Sequence, residues 1–98
     1  MKTHVGSRWQ GAILVCRKCS KKLHGGFGPD GKQPISKVLR KALDGGKHRK
    51  ARIGIIEVGC LDICPKGAVT LIDTARPDQW LIVKAGTPVE DVAERLGR

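Results

Sequence analysis

The sequence predicts a small α/β domain. Three observations carry that reading: β-branched, apolar runs of strand length at residues 11–16 and 52–58, an amphipathic helical pattern between them, and two further strand runs followed by a short helix with marked ends. A strand–helix–strand unit implies a parallel pair joined by a right-handed crossover. Two strands joined by a tight turn add an antiparallel hairpin. The sum is a small mixed sheet with helices packed on it. At 98 residues the chain fits one domain, read as an N-terminal extension over 1–10 and a single domain over 11–98. A chain this short buries only roughly 60–70% of its unfolded surface, so a metal staple would help it.

Taken in order, "GAILVC" (11–16) reads as a buried strand that runs into a cysteine. "RKCSKKLHGGFGPDGK" is rich in glycine, lysine and turn residues and reads as a loop. In "PISKVLRKALDGG", Ile35, Val38, Leu39, Ala42 and Leu43 make one apolar stripe, with Lys37, Arg40 and Lys41 facing away. Gly45 and Gly46 are expected to end that helix in the left-handed conformation. "RIGIIEV" (52–58) is apolar on both parities, which suits a central strand covered on both faces. "AVTLID" (68–73) and "QWLIV" (79–83) are strands, and the proline and aspartate of "TARPD" turn them into a hairpin. In "TPVEDVAERLGR", Thr87 and Glu90 spell a capping box, with Pro88 at the first helical position. Val89, Val92, Ala93 and Leu96 form its buried stripe and Gly97 ends it.

The aromatics are three, Trp9, Phe27 and Trp80, so the core must be aliphatic, and Trp80 is expected in the core or on a sheet face. The net charge is +10, unevenly spread: residues 1–52 hold 14 Lys and Arg against two acids, a net of +12, and residues 53–98 hold five against seven, a net of −2. Charge of this kind speaks to partners and steering, not to fold. It suits a solvated basic surface, or else an acidic partner, either a protein with an acidic patch or nucleic acid. The opening "MKTHVGSRWQ" has no signal-like apolar stretch, and no run approaches the roughly 18 apolar residues of a membrane span. A cytoplasmic location and no membrane contact are therefore expected, and in a reducing compartment paired cysteines are read as metal ligands or redox groups.

The four cysteines form two close pairs, Cys16 with Cys19 and Cys60 with Cys64, each just after a strand. If those strands are parallel neighbours, their C-terminal ends lie on one edge and the thiols converge where α/β sheets place ligand sites. Four thiolates hold zinc or an iron–sulfur cluster, and spacing alone suits either. Pro65 fixes the direction in which the chain leaves, and Gly67 allows a close approach or an unusual dihedral. No acid–base constellation, P-loop or dinucleotide fingerprint is present, so no enzymatic activity is expected. A thiol–disulfide reading of Cys16-Arg17-Lys18-Cys19 fares poorly, because such a motif opens a helix and this one is expected to open a loop. His24 could replace a cysteine ligand, though an exposed loop histidine is the simpler reading. Asp62 is read as a turn cap.

"ILVC" opening the domain, "CLDICPKGAVTLID…W" after a strand, and a short closing helix resemble the thioredoxin-like [2Fe-2S] ferredoxins over roughly residues 11–97. That resemblance implies a thioredoxin-like mixed sheet and a [2Fe-2S] cluster, with Cys16 and Cys19 on one iron and Cys60 and Cys64 on the other. The loop between the first two ligands is shorter here than is usual in that family. The implied function is one-electron transfer to or from an acidic redox partner, and the implied assembly a homodimer. Arg17, Lys18, Lys21, Lys22 and Lys66 flank the ligands, and their charge is expected to favour the reduced cluster. The alternative is a zinc-stabilised nucleic-acid-binding module built on the same four cysteines and the basic half. Its weakness is the scarcity of aromatics for base stacking.

Overall fold

The structure, a computed structural model, describes residues 3–63 and 65–97. It is an α/β domain with one five-stranded mixed sheet and three helices. In chain order the elements are β1 (Ala12–Cys16), α1 (Arg17–Leu23), α2 (Ile35–Ala42), β2 (Gly45–Gly46), β3 (Ile53–Val58), β4 (Ala68–Asp73), β5 (Leu81–Lys84) and α3 (Val89–Arg95). Across the sheet the order is β2-β3-β1-β4-β5.

β1 and β3 are parallel, with Ala12 opposite Gly54 and Cys16 opposite Val58. β4 runs antiparallel to β1, and β5 antiparallel to β4. The expected parallel unit and hairpin are therefore both present. Strand alternation sorts the side chains. Ile13, Val15, Ile53, Ile55, Val69, Leu71 and Val83 are buried and share one cluster with Ile35 and Leu39 of α2 and Val92 and Leu96 of α3. This cluster is aliphatic apart from Phe27, Cys16 and Cys19. On the sheet face opposite Val83, Trp80 and Ile82 are 43% and 40% exposed. Trp80 is thus a surface residue of the hairpin, its indole N–H donated to the Pro77 carbonyl at 2.9 Å. The expectation of a core tryptophan fails, while a place on a sheet face stands.

The segment after Cys16 is not a loop. Arg17–Leu23 is a helix, with Cys19 and Ser20 on its buried side. Lysine, arginine and leucine are good helix formers, and no glycine interrupts the chain before Gly25. His24 ends the helix in the left-handed conformation, φ 50°, and is exposed as expected.

α2 ends differently from the sequence expectation. Asp44, not a glycine, takes the left-handed conformation, at φ 53°. Gly45 and Gly46 instead form β2 beside β3. A Cβ on Gly45 would lie 2.6 Å from the Ile55 methyl, so glycine is needed there for close packing. Ala42 is exposed, and Arg40 is half-buried rather than turned away. Its Nε and Nη2 donate to the Ile55 carbonyl at 3.1 and 3.0 Å.

α3 begins one residue later than its capping box would set it. Pro88 is the N-cap, without a side-chain cap bond, and the Thr87 hydroxyl donates back to the Lys84 carbonyl at 2.7 Å. The stripe is right: Val92 and Leu96 are buried, and Gly97 closes the helix at φ 70°.

Candidate functional site

Parallel pairing puts the C-terminal ends of β1 and β3 side by side, with Cys16 on the last rung. Cys16 also serves as N-cap of α1, so strand and helix meet at its α-carbon. Cys19 follows in the first turn. Both thiols are buried, at 0% and 2% exposure.

The chain leaving β3 then folds back over this pair. The Cys19 thiol donates to the Ile63 carbonyl at 3.6 Å, and the Thr70 hydroxyl of β4 donates to the same carbonyl at 3.1 Å. Asp62 takes a left-handed φ of 64°, and its N–H points to Cys60 Sγ at 3.4 Å. A tight turn at Asp62 thus forms as expected, made by its backbone. Gly67 is also left-handed, φ 70°, and a Cβ there would meet nothing, so its role is the dihedral and not a close approach.

Electrostatics at Cys16 is set by two opposed effects. Burial works to raise its pKa. Backbone N–H groups of Cys19 and Leu61, the Cys19 thiol and the Lys18 N–H work to lower it, and they win. Hydrogen bonds donated to sulfur favour the thiolate, the form that ligates metals. The Leu61 contribution comes from the second cysteine segment, so the two segments interact at the sulfur itself.

Of the sequence-predicted ligands, the structure brings Cys16 and Cys19 together and lays residues 60–63 against them. Cys60 is exposed. Cys64 lies outside the described residues. Among the described residues, no three His, Cys, Asp or Glu side chains are grouped to hold a metal. The donor chemistry nevertheless fits a thiolate-bound group: soft sulfur ligands, one of them already surrounded by N–H donors.

A cleft of about 460 Å³ opens beside Cys19, lined by Lys22, Leu23, Pro65, Lys66, Gly67 and Ala68. Arg17, Lys18, Lys21, Lys22 and Lys66 are all exposed at this end, and Ile63 is 46% exposed among them. Arg17 reaches the Glu57 carbonyl at 3.3 Å. Sequence reasoning missed Thr70, Leu61 and Ile63. Thr70 carried a signal: it is a hydroxyl between the apolar pairs Ala68–Val69 and Leu71–Ile72, and fully buried it must find an acceptor.

No helix among the described residues is long and apolar enough to cross a membrane. Comparison with family models, with curated proteins and with solved structures found no match.

Proposed function

We propose that this chain is a one-electron carrier that holds a [2Fe-2S] cluster on Cys16, Cys19, Cys60 and Cys64. The observation that carries the reading is the meeting of the two cysteine segments at one end of the β1–β3 pair, where Leu61 N–H acts on the Cys16 sulfur and Cys19 bonds to the Ile63 carbonyl. The topology supports it as well. A parallel strand–helix–strand unit, an antiparallel hairpin and a C-terminal helix form the arrangement expected of a thioredoxin-like ferredoxin.

When bound, the cluster supplies the one-electron couple. The chain's own residues do the rest. Buried Cys16 and Cys19 keep water from two of the sulfurs. The N–H groups of Lys18, Cys19 and Leu61 stabilise negative charge on Cys16, and hydrogen bonds to sulfur set the potential together with nearby charge and exposure. The exposed lysines at this end favour the more negative, reduced state and steer an acidic redox partner, with an effect that weakens with salt. We place this carrier in the cytoplasm, as a homodimer in which the face bearing Trp80 and Ile82 meets a second copy.

A thiol–disulfide reading gains one observation, since Cys16 and Cys19 do open a helix, contrary to the sequence expectation. It loses on access. Both thiols are closed to a protein disulfide, and Cys60 is left without a role. Zinc on the same thiols is separated from the cluster by spectroscopy. The test is the visible absorption and electron paramagnetic resonance of protein purified without oxygen, before and after dithionite. Charge-transfer absorption that bleaches, with a single spin-half signal on reduction, supports the carrier. A colourless, spectroscopically silent protein contradicts it.

A further inference from the structure

The opposite end of the β1–β3 pair is built from basic residues. Residues 8–10 run beside 49–52: Arg8 N–H donates to the Arg49 carbonyl at 2.7 Å and Gln10 N–H to the Arg52 carbonyl at 2.9 Å. The Trp9 indole N–H donates to the His48 carbonyl at 2.9 Å. The Trp9 ring lies on Gly54, so closely that a Cβ there would fall 2.5 Å from the ring carbons. Two basic, non-repetitive segments are thereby fixed to the sheet and to each other.

Arg8, Lys47, Arg49, Lys50 and Arg52 are all exposed on this frame. Asp44 is the single acidic residue within 3–11 and 44–54, against these five cations. The pinning uses the carbonyls of residues 48, 49 and 52 and not the charged side chains.

We propose that this end binds the phosphate backbone of double-helical nucleic acid, independently of base sequence. The proposal is separate from the electron-carrier reading and concerns the other end of the sheet. Phosphate binding needs exposed cations on a fixed frame, and it draws its free energy from counterion release. A protein partner would need a dehydrated apolar centre. The large exposed hydrophobic here is Val5 alone, at 71% exposure. A single strand would need rings on which to stack. Trp9 has one face on Gly54 and its N–H on His48, and no second aromatic lies in either segment. Contacts of this kind position a duplex without reading it.

The test is fluorescence anisotropy of a labelled, mixed-sequence DNA duplex titrated with the intact chain, purified without oxygen. Affinity is expected to fall roughly a hundredfold between about 50 and 200 mM salt, the dependence of about four phosphate contacts. Arg49→Glu with Arg52→Glu should reduce the salt slope by about two. Those substitutions keep the pinning carbonyls, and circular dichroism checks the fold. Lys18→Glu with Lys21→Glu, at the thiol end, should leave the affinity unchanged. The proposal is overturned by absent or salt-insensitive binding, by equal loss from the thiol-end pair, or by indifference to Arg49→Glu with Arg52→Glu. Tighter binding to the single strand, or to phosphatidylserine vesicles, overturns it too. None of these outcomes bears on the cluster, whose iron and sulfide content is measured on the same sample.

Discussion

At one end of the β1–β3 pair, backbone groups turn onto sulfur: Leu61 and Cys19 N–H act on Cys16, and the Ile63 carbonyl takes the Cys19 thiol. At the other end, backbone groups bond to each other, Arg8 to Arg49 and Gln10 to Arg52, and leave the side chains in water. Both ends are basic, yet the charge does different things. Beside the thiols it flanks two buried cysteines, Cys16 and Cys19. At the far end it has no buried partner and can only meet something outside. Nine of the 14 basic residues of the first half fall on these two surfaces, Arg17, Lys18, Lys21 and Lys22 beside the thiols and Arg8, Lys47, Arg49, Lys50 and Arg52 at the far end. The two cysteine segments, far apart in the chain, become one region because parallel strands end on the same edge.

The largest expected effect separates the two ends outright. Cys16→Ser removes the sulfur at the strand–helix junction, and protein isolated without oxygen should then lack its iron and sulfide. Duplex binding at the other end should persist, measured by anisotropy on the same sample. Loss of both functions would mean that the ends are coupled through the fold.

Next comes Gly54→Ala, which acts at the far end. Its methyl would collide with the Trp9 ring. Overpacking of this kind costs about 1–3 kcal/mol. Urea unfolding should show that loss, together with a change in tryptophan fluorescence, while the visible spectrum of the thiol end stays as it was. A smaller loss is expected at the thiol end from Thr70→Val, which deletes the hydroxyl bonded to the Ile63 carbonyl. One hydrogen bond is worth about 0.5–1.5 kcal/mol. The diagnostic readout is the midpoint potential, which should move with Thr70→Val and not with Gly54→Ala.

The smallest effect is electrostatic. Lys18→Glu should lower the midpoint potential by roughly 10–40 mV, the equivalent of the 0.2–1 kcal/mol typical of exposed charge interactions. Protein-film voltammetry reads it. An unchanged or raised potential would count against an effect of these lysines on the centre.

The sheet could be read from residues because its cues are local. β-branched runs marked β1, β3 and β4, the proline and aspartate of 74–78 marked the hairpin, and period marked α2 and α3, joined in α3 by the end signals of Thr87, Pro88 and Gly97. The convergence of the cysteine segments followed from one topological rule. α1 escaped because its composition pointed two ways: lysines and a glycine-rich sequel suggest a loop, while Cys19, Ser20 and Leu23 three and four apart suggest a helix face. In the structure α1 packs against β4 with Cys19 in the core. Asp44 and Thr87 show the limit of local signals. A left-handed aspartate ends α2, the following Gly45 being held to glycine by its close approach to β3, and Thr87 spends its hydroxyl on the strand before it rather than on α3. Leu61 and Ile63 act through backbone atoms, so their side chains gave no hint of a role at the site. Trp9 also hid its function, since the glycine it covers lies 45 residues along the chain, at Gly54.

The central claim is that Cys16, Cys19, Cys60 and Cys64 hold an iron–sulfur cluster. Iron, acid-labile sulfide and zinc counted per chain, in protein purified without oxygen, test it most directly. The account predicts about two irons and two sulfides with no zinc, as a [2Fe-2S] cluster requires. Zinc without sulfide, or no metal at all, would contradict it.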